Sequence, residues 1–267
     1  MTASITRHPK NSGTGGEAPL RESNFAVWRG RIFVLLLWIA LWEVLYLCIN
    51  NDIYFPSPLA TVKAILALIW MKKTWLIIGM SSYRTLMALV SSAIVGVALG
   101  IACGLNRRLY DFFNPLVVVL KSTPVVSVII IAIIWFRSAD VPNFSGFLMC
   151  FPIVFSGTVA GIRNTDPKLK EMCSFYGVRR YDVLSGLYFR ASLPYINAAV
   201  ISSIGICWKA VAAAEVLSMP PDSIGANLYY AKTALDPASL LAWTFIIIVL
   251  SFLLETLYAK VSGYDKT

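Results

Sequence analysis

The chain is 267 residues long, 58% hydrophobic and 14% charged, whereas soluble domains carry roughly 45–50% apolar and about 25% charged residues. Its net charge is +9, from 23 Lys and Arg against 14 Asp and Glu. These values exclude disordered, collagen-like and disulfide-stapled chains and predict an all-α membrane protein, with the basic excess read as the loop bias of such proteins and not as a nucleic-acid surface.

Residues 1–24 are rich in Gly, Ser, Thr and charge, without apolar period, and open a tail drawn to residue 31. No small-residue cleavage site follows the first hydrophobic run, so a disordered cytoplasmic tail is expected and not a removable signal. The first span is expected over residues 32–49, about 27 Å at 1.5 Å per residue, with Arg29 and Arg31 holding its start inside. Its one charge, Glu43, is either a functional carboxylate or a group facing a helix partner or water near the outer end. The turn Phe55-Pro56-Ser57-Pro58 then stops regular structure. Residues 59–70 resume with helical period but are too short to span, which predicts an amphipathic helix on the outer surface. Span and helix together make up a segment at residues 32–84.

Five further spans are expected in a core at residues 85–260. The second, residues 85–105, carries Ser92, Gly96, Gly100 and Gly104 at every fourth position, a stripe that lets another helix approach backbone to backbone. The third, residues 115–136, contains Pro115, Lys121 and Pro124. Pro124 should kink the helix or delay its regular start, and Lys121 lies close enough to the inner end to snorkel. The fourth, residues 144–162, has Pro152 at its middle and a second close-approach pair, Gly157 and Gly161. The fifth covers residues 191–214 around Lys209 and the sixth residues 237–254, followed by a cytoplasmic tail at 261–267. With the N-terminus inside, fifteen Lys and Arg fall in inner segments and six in outer ones, which places both termini in the cytoplasm.

The five cysteines are scattered and His8 is the sole histidine, so no metal or redox cluster is expected and the cysteines read as small hydrophobes. There is no phosphate-binding G-x4-G-K-[ST] loop, so the chain is not expected to hydrolyse ATP.

The polar segment at residues 163–190, between spans four and five, is too long for a minimal turn. Asp166 suits an N-cap, Pro167 the first helical position and Gly177 the C-terminal stop, which predicts a short helix over residues 167–176. Leu169, Met172, Cys173 and Tyr176 then form one apolar face, with Lys168, Lys170 and Glu171 polar. That face packs either on the protein's own spans and the lipid interface or in a socket of a separate cytosolic protein.

Glu171-Met172-Cys173, Gly177 and Leu193-Pro194 resemble the E-A-A…G…L-P loop of ATP-binding-cassette importer permeases. Trp42-Glu43, the Phe55 to Pro58 turn, Arg107-Arg108, Pro115, Pro124, and Ala213-Ala214-Glu215 with Ile224-Gly225 are similar to the branch that imports sulfonates, taurine and nitrate. The resemblance covers roughly residues 32–260. It departs at Met172 and Cys173, which replace small alanines, and at Lys209, where that branch usually has an apolar residue.

The resemblance implies a type I importer fold of about six spans, like the methionine and molybdate permeases, in a bacterial inner membrane. It implies two copies of the chain around the pathway, two ATPase subunits carrying ATP and Mg, an extracytoplasmic binding protein, and no cofactor on this chain. Leu169, Glu171, Met172, Cys173, Tyr176 and Gly177 would couple to the ATPase. For the solute pathway, Trp208, Lys209 and Glu215 are the candidates; Lys209 either guides an anion or is paired with Glu43 or Glu215 or capped by carbonyls, and Glu215 either gates the outer end or anchors it. A secondary transporter or channel is the rival reading, and it would need an ion-coupling cluster of paired acids that the spans do not show.

Overall fold

The computed structural model describes residues 24–263, with side chains from residue 32 onward. Of the tails expected at residues 1–31 and 261–267, residues 1–23, His8 included, and 264–267 lie outside the described residues, whereas residues 24–31 and 261–262 are helical. The first helix, α1 (Asn24–Ile49), belongs to a unit of its own and contains one span-length apolar stretch, Ile32–Ile49. It starts before the predicted span because residues 24–31 hold no proline to stop it.

The second unit runs from Ile49. It holds α2 (Pro58–Trp70), α3 (Lys72–Leu105), α4 (Arg107–Ser122), α5 (Val125–Trp135), α6 (Val141–Arg163) and α7 (Pro167–Phe175). There follow α8 (Arg180–Asp182), a π-helical stretch Val183–Phe189, α9 (Arg190–Ser218), α10 (Ile224–Thr233) and α11 (Pro237–Ser262). Among the described residues every regular element is helical. Five helices are long and apolar enough to cross a membrane, six if α4 and α5 form one broken span. The all-helical fold of about six spans expected from the sequence is therefore present.

Helix α11 likewise runs past the expected end of the sixth span, to Ser262, and two further differences bear on the architecture. The second span was drawn from residue 85, yet α3 runs unbroken for 34 residues from Lys72. Lys72, Lys73 and Arg84 interrupt the apolar run without interrupting the helix, because nothing there removes a backbone donor. A boundary at residue 84 therefore falls inside one helix. The third span is not one kinked helix but two, with axes 102° apart. Pro124 has no N–H to continue α4 and forces the residue before it out of the helical region, so Thr123 is extended at φ −73°, ψ 128°. Pro115 sits within α4 without ending it.

Helix α2 begins as its sequence dictates: Ser57 Oγ accepts from the Ala60 amide at 3.1 Å and Pro58 takes the first helical position. It packs on α11 and α3.

The core is the layer α3–α6–α9, with α6 at its centre and 61% of its apolar window buried. Glycines set the spacing. A Cβ on Gly96 would meet Val154, one on Gly100 would lie 2.6 Å from Thr158 Cβ, and one on Gly104 2.7 Å from Ile162 Cβ, so α3 and α6 run parallel in constant register. On the other side Gly161 abuts Ser192 and Gly157 abuts Ala199, which makes α6 and α9 antiparallel. Ser92, fully buried on the same stripe of α3, turns its hydroxyl back to the Leu89 carbonyl at 2.9 Å. Gly100→Val is expected to destabilise the protein by about 1–3 kcal/mol through overpacking. Thermal unfolding of the variant in detergent, against Gly79→Val where a Cβ meets nothing within 4 Å, checks this.

Candidate functional site

Two features of the second unit carry chemistry beyond packing: the short helix between α6 and α9, and the ionised groups within the spans.

Helix α7 starts where Asp166 accepts from the Lys168 amide at 2.8 Å. It ends in a Schellman turn. The Val178 amide donates to the Cys173 carbonyl at 3.0 Å and the Gly177 amide to Ser174 at 3.3 Å, with Gly177 at φ +60°, a conformation that favours glycine. The turn ends the helix at Phe175, two residues before Gly177 and one short of the expected end at Tyr176, and sends the chain back through α8 and the π-helical stretch into α9.

No residue of α7 is buried. Lys170, Cys173 and Ser174 face a cavity of about 410 Å³ shared with Leu105, Leu184 and Tyr188. The Lys170 ammonium lies 5.6 Å from the Tyr188 ring centre. The opposite side, centred on Met172 and Phe175, is open: Phe175 is 86% and Tyr176 74% exposed, with the two rings edge to face at 5.4 Å. Leu169 and Glu171 flank it, also exposed. The outward face is thus rotated from the one read off the sequence, because the returning chain covers the side that carries Cys173. Phe175 escaped the sequence reading because it fell outside the wheel positions of Leu169, Met172, Cys173 and Tyr176. Its signal was the pair of adjacent aromatic residues just before the glycine stop.

A buried polar network within the spans lies at the opposite end. Arg84 of α3 and Glu215 of α9 are 3% and 1% exposed and pair at 3.0 Å. Ser81 Oγ lies 2.8 and 2.9 Å from the two carboxylate oxygens, and the Gly225 amide donates to Oε2 at 3.0 Å. Ser81 Oγ in turn accepts from the Ile224 amide at 3.0 Å. Arg84 also donates to the carbonyls of Pro221, at 3.0 Å, and Asp222, at 3.4 Å. Between α9 and α10, Met219 and Asp222 both adopt φ +46°, which non-glycine residues avoid at a cost of roughly 1–2 kcal/mol each. Arg84 therefore clasps a strained turn, and Glu215 and Ser81 cap the first turn of α10. Arg84 and Ser81 were missed because a charge next to the apolar run reads as loop. Their signal was the Ser81-x-x-Arg84 spacing on a segment with no helix breaker.

Trp208 and Glu215, two turns apart on α9, share its buried face, whereas Lys209 is turned to the exposed side. The structure does not bring these three together on one surface. Glu215 is taken by Arg84, and Lys209 has no ion-pair partner within the second unit among the described residues. Lys121 is directed at α6, where its Nζ donates to Ser156 Oγ at 2.7 Å. No three His, Cys, Asp or Glu side chains come together as a metal site among the described residues.

The apolar helices of span length are those of a multi-pass helical membrane protein. Residues 96–262 match the family of binding-protein-dependent transport system inner membrane components, and the chain belongs to that family. It is 26% identical over 192 residues to the putative aliphatic sulfonates transport permease protein SsuC of Bacillus subtilis (strain 168), covering 71% of this chain and 70% of that one. It is 27% identical over 225 residues to the nitrate import permease protein NrtB of Synechocystis sp., covering 77% of this chain and 80% of that one. In fold it is similar to an amino acid ABC transporter crystallised with histidines, at a TM-score of 0.57 and 14% identity, over 74% of this chain and 95% of that one. The chain is thus a permease subunit of an ATP-binding-cassette importer in the inner membrane, and the rival secondary transporter or channel is not favoured. Family membership implies an ATPase partner and a substrate-binding protein.

Proposed function

We propose that two copies of this chain form the translocation pathway of an importer for small oxyanions such as aliphatic sulfonates or nitrate, driven by two ATPase subunits that grip α7 from the cytosol. The open face of Met172, Phe175 and Tyr176 carries this reading. A helix that buries none of its own residues yet is fixed by an N-cap and a Schellman turn is a rigid handle awaiting a partner. The α7 end of the layer then lies in the cytoplasm with both termini, in keeping with fifteen Lys and Arg on that side against six opposite.

ATP and Mg are bound by the ATPase subunits and no cofactor by this chain. Closure of the ATPase pair on ATP moves the two α7 handles together. Each handle pulls on α6 through a linker of three residues, Asn164 to Asp166, and on α9 through the π-helical stretch. Glycine contacts lock α3, α6 and α9 into one layer, which turns as a rigid body. A binding protein delivers solute at the α10 end, where the Arg84–Glu215 network holds the turn before α10 in place.

The tagged chain purified in mild detergent with its native partners tests this. Recovery of an ATPase and a binding protein carrying a small oxyanion is the expected result, and a folded, monodisperse chain with no ATPase would overturn it. Lys209 supplies a positive charge on an exposed stripe of α9 and is read as anion-guiding. Lys209→Met is expected to lower uptake of labelled nitrate or ethanesulfonate several-fold; unchanged uptake would remove that role.

A further inference from the structure

We infer that Lys121 is a second anion-contacting residue of the pathway, an inward station beyond Lys209; this rests on the oxyanion reading above. Lys121 occupies the last turn of α4. Ser156, its acceptor, donates its own hydroxyl hydrogen bond to the Pro152 carbonyl at 2.8 Å and lies seven residues before Arg163, the last residue of α6. At 1.5 Å per residue that is about 10 Å inside the end of the helix. The side chain is therefore engaged within the span and does not snorkel to its end.

An ammonium has three donors, and a single neutral hydroxyl satisfies one. Lys121 is exposed, and no carboxylate lies within ion-pair distance of it among the described residues. An ionised group at this depth cannot face hydrocarbon, so the remaining donors face water or an anion. The backbone beside it leads to the same conclusion. Thr123 and Pro124 are extended and the helix axis turns by 102°. Non-helical backbone at membrane depth occurs where it is covered by protein or lines a watery cavity. Thr123 lies only partly covered and Ser122 and Pro124 are exposed, and interrupted helices of this kind mark solute sites in transporters. The start of α5, which no side chain caps, adds its positive dipole end to the break.

The two lysines stand at different depths. Gly157, next to Ser156, is level with Ala199 on α9, and Lys209 lies ten residues farther along that helix. The separation along the axis is about 15 Å. An oxyanion leaving the exposed stripe of Lys209 meets a second cation before the α7 end. Lysine suits a transit point, because its flexible single charge holds an oxyanion less rigidly than the two-pronged guanidinium does.

The test uses the complete importer, with its own ATPase and binding protein, in proteoliposomes, with labelled nitrate and ethanesulfonate as probes. Lys121→Met is expected to reduce uptake about tenfold while ATP hydrolysis stimulated by the loaded binding protein persists, and Lys121→Arg to retain most uptake. Uptake by Lys121→Met at the wild-type rate overturns the proposal. So does equal loss of assembly and stimulation in Lys121→Met, Lys121→Gln and Lys121→Arg, which would show that the lysine only positions α4. Uptake of neither probe by the wild-type importer would remove the oxyanion reading itself and this proposal with it, a result distinct from failure of the variant alone.

Discussion

Substituting aspartate for both Phe175 and Tyr176 is expected to return solute-stimulated ATP hydrolysis to the basal rate and to release the ATPase on purification, with the permease still folded. Both side chains are largely exposed in the chain and lie on the side of α7 away from the half-buried Lys170 and Cys173, so their loss removes little internal packing. Exposed substitutions of this kind change stability by about 0.5 kcal/mol or less. In a docked socket the same rings are aromatic anchors worth roughly 2–4 kcal/mol each on truncation. Two carboxylates brought into an apolar groove add desolvation to that loss. A combined effect of about 4 kcal/mol or more weakens docking roughly a thousandfold. Cys173→Ser provides the internal comparison, since Cys173 faces the cavity beneath α7 and should leave coupling near normal. Retained stimulation in the double aspartate variant, or loss of it in Cys173→Ser, would show that the ATPase grips a different face.

How far the sequence carries the reading depends on which physical signal decides each element. The boundaries of α7 were legible because Asp166, Pro167 and Gly177 act locally, through a cap, a missing donor and a positive φ. The spacing of Gly96, Gly100 and Gly104 was legible for a similar reason: a helix face is fixed by period alone, although only the structure identifies α6 as the helix that meets it. Which side of α7 would stay open was not legible. That side is set by the return of residues 180–188 across Lys170 and Cys173, a tertiary event that helical period does not encode. The turn at Thr123-Pro124 was visible as a proline but not in its size, because a bend of 102° depends on two consecutive extended residues and not on the lost hydrogen bond alone. The Arg84–Glu215 pair was hidden by sequence distance: 131 positions separate the partners, and hydropathy assigned Arg84 to a loop. A charge beside an apolar run reads the same way whether it is solvated or paired across the core.

Glu215→Ala is expected to be the most damaging single substitution outside α7. The carboxylate is the common acceptor for Arg84, Ser81 and the Gly225 amide, so its removal strands a guanidinium that is 3% exposed and frees the first turn of α10. Breaking a buried pair by deleting one partner costs about 3–5 kcal/mol, because the remaining charge has lost its compensation. The strained residues Met219 and Asp222 would then relax, since the clasp from Arg84 to the Pro221 and Asp222 carbonyls depends on a guanidinium held in place by Glu215. The predicted readouts are a fall of roughly 10 °C or more in the unfolding midpoint in detergent and faster proteolysis between α9 and α10. The control separates charge from packing. Arg84→Met combined with Glu215→Leu removes both charges while keeping apolar bulk, and it should recover much of the loss, as replacement of buried pairs by hydrophobic groups does. If the double variant is no more stable than Glu215→Ala, the stranded charge is not the cause, and the hydrogen bonds from Ser81 and Gly225 carry the turn instead. If Glu215→Ala itself unfolds at the wild-type temperature, the network does not hold α10, and the role of Arg84 must be sought in transport.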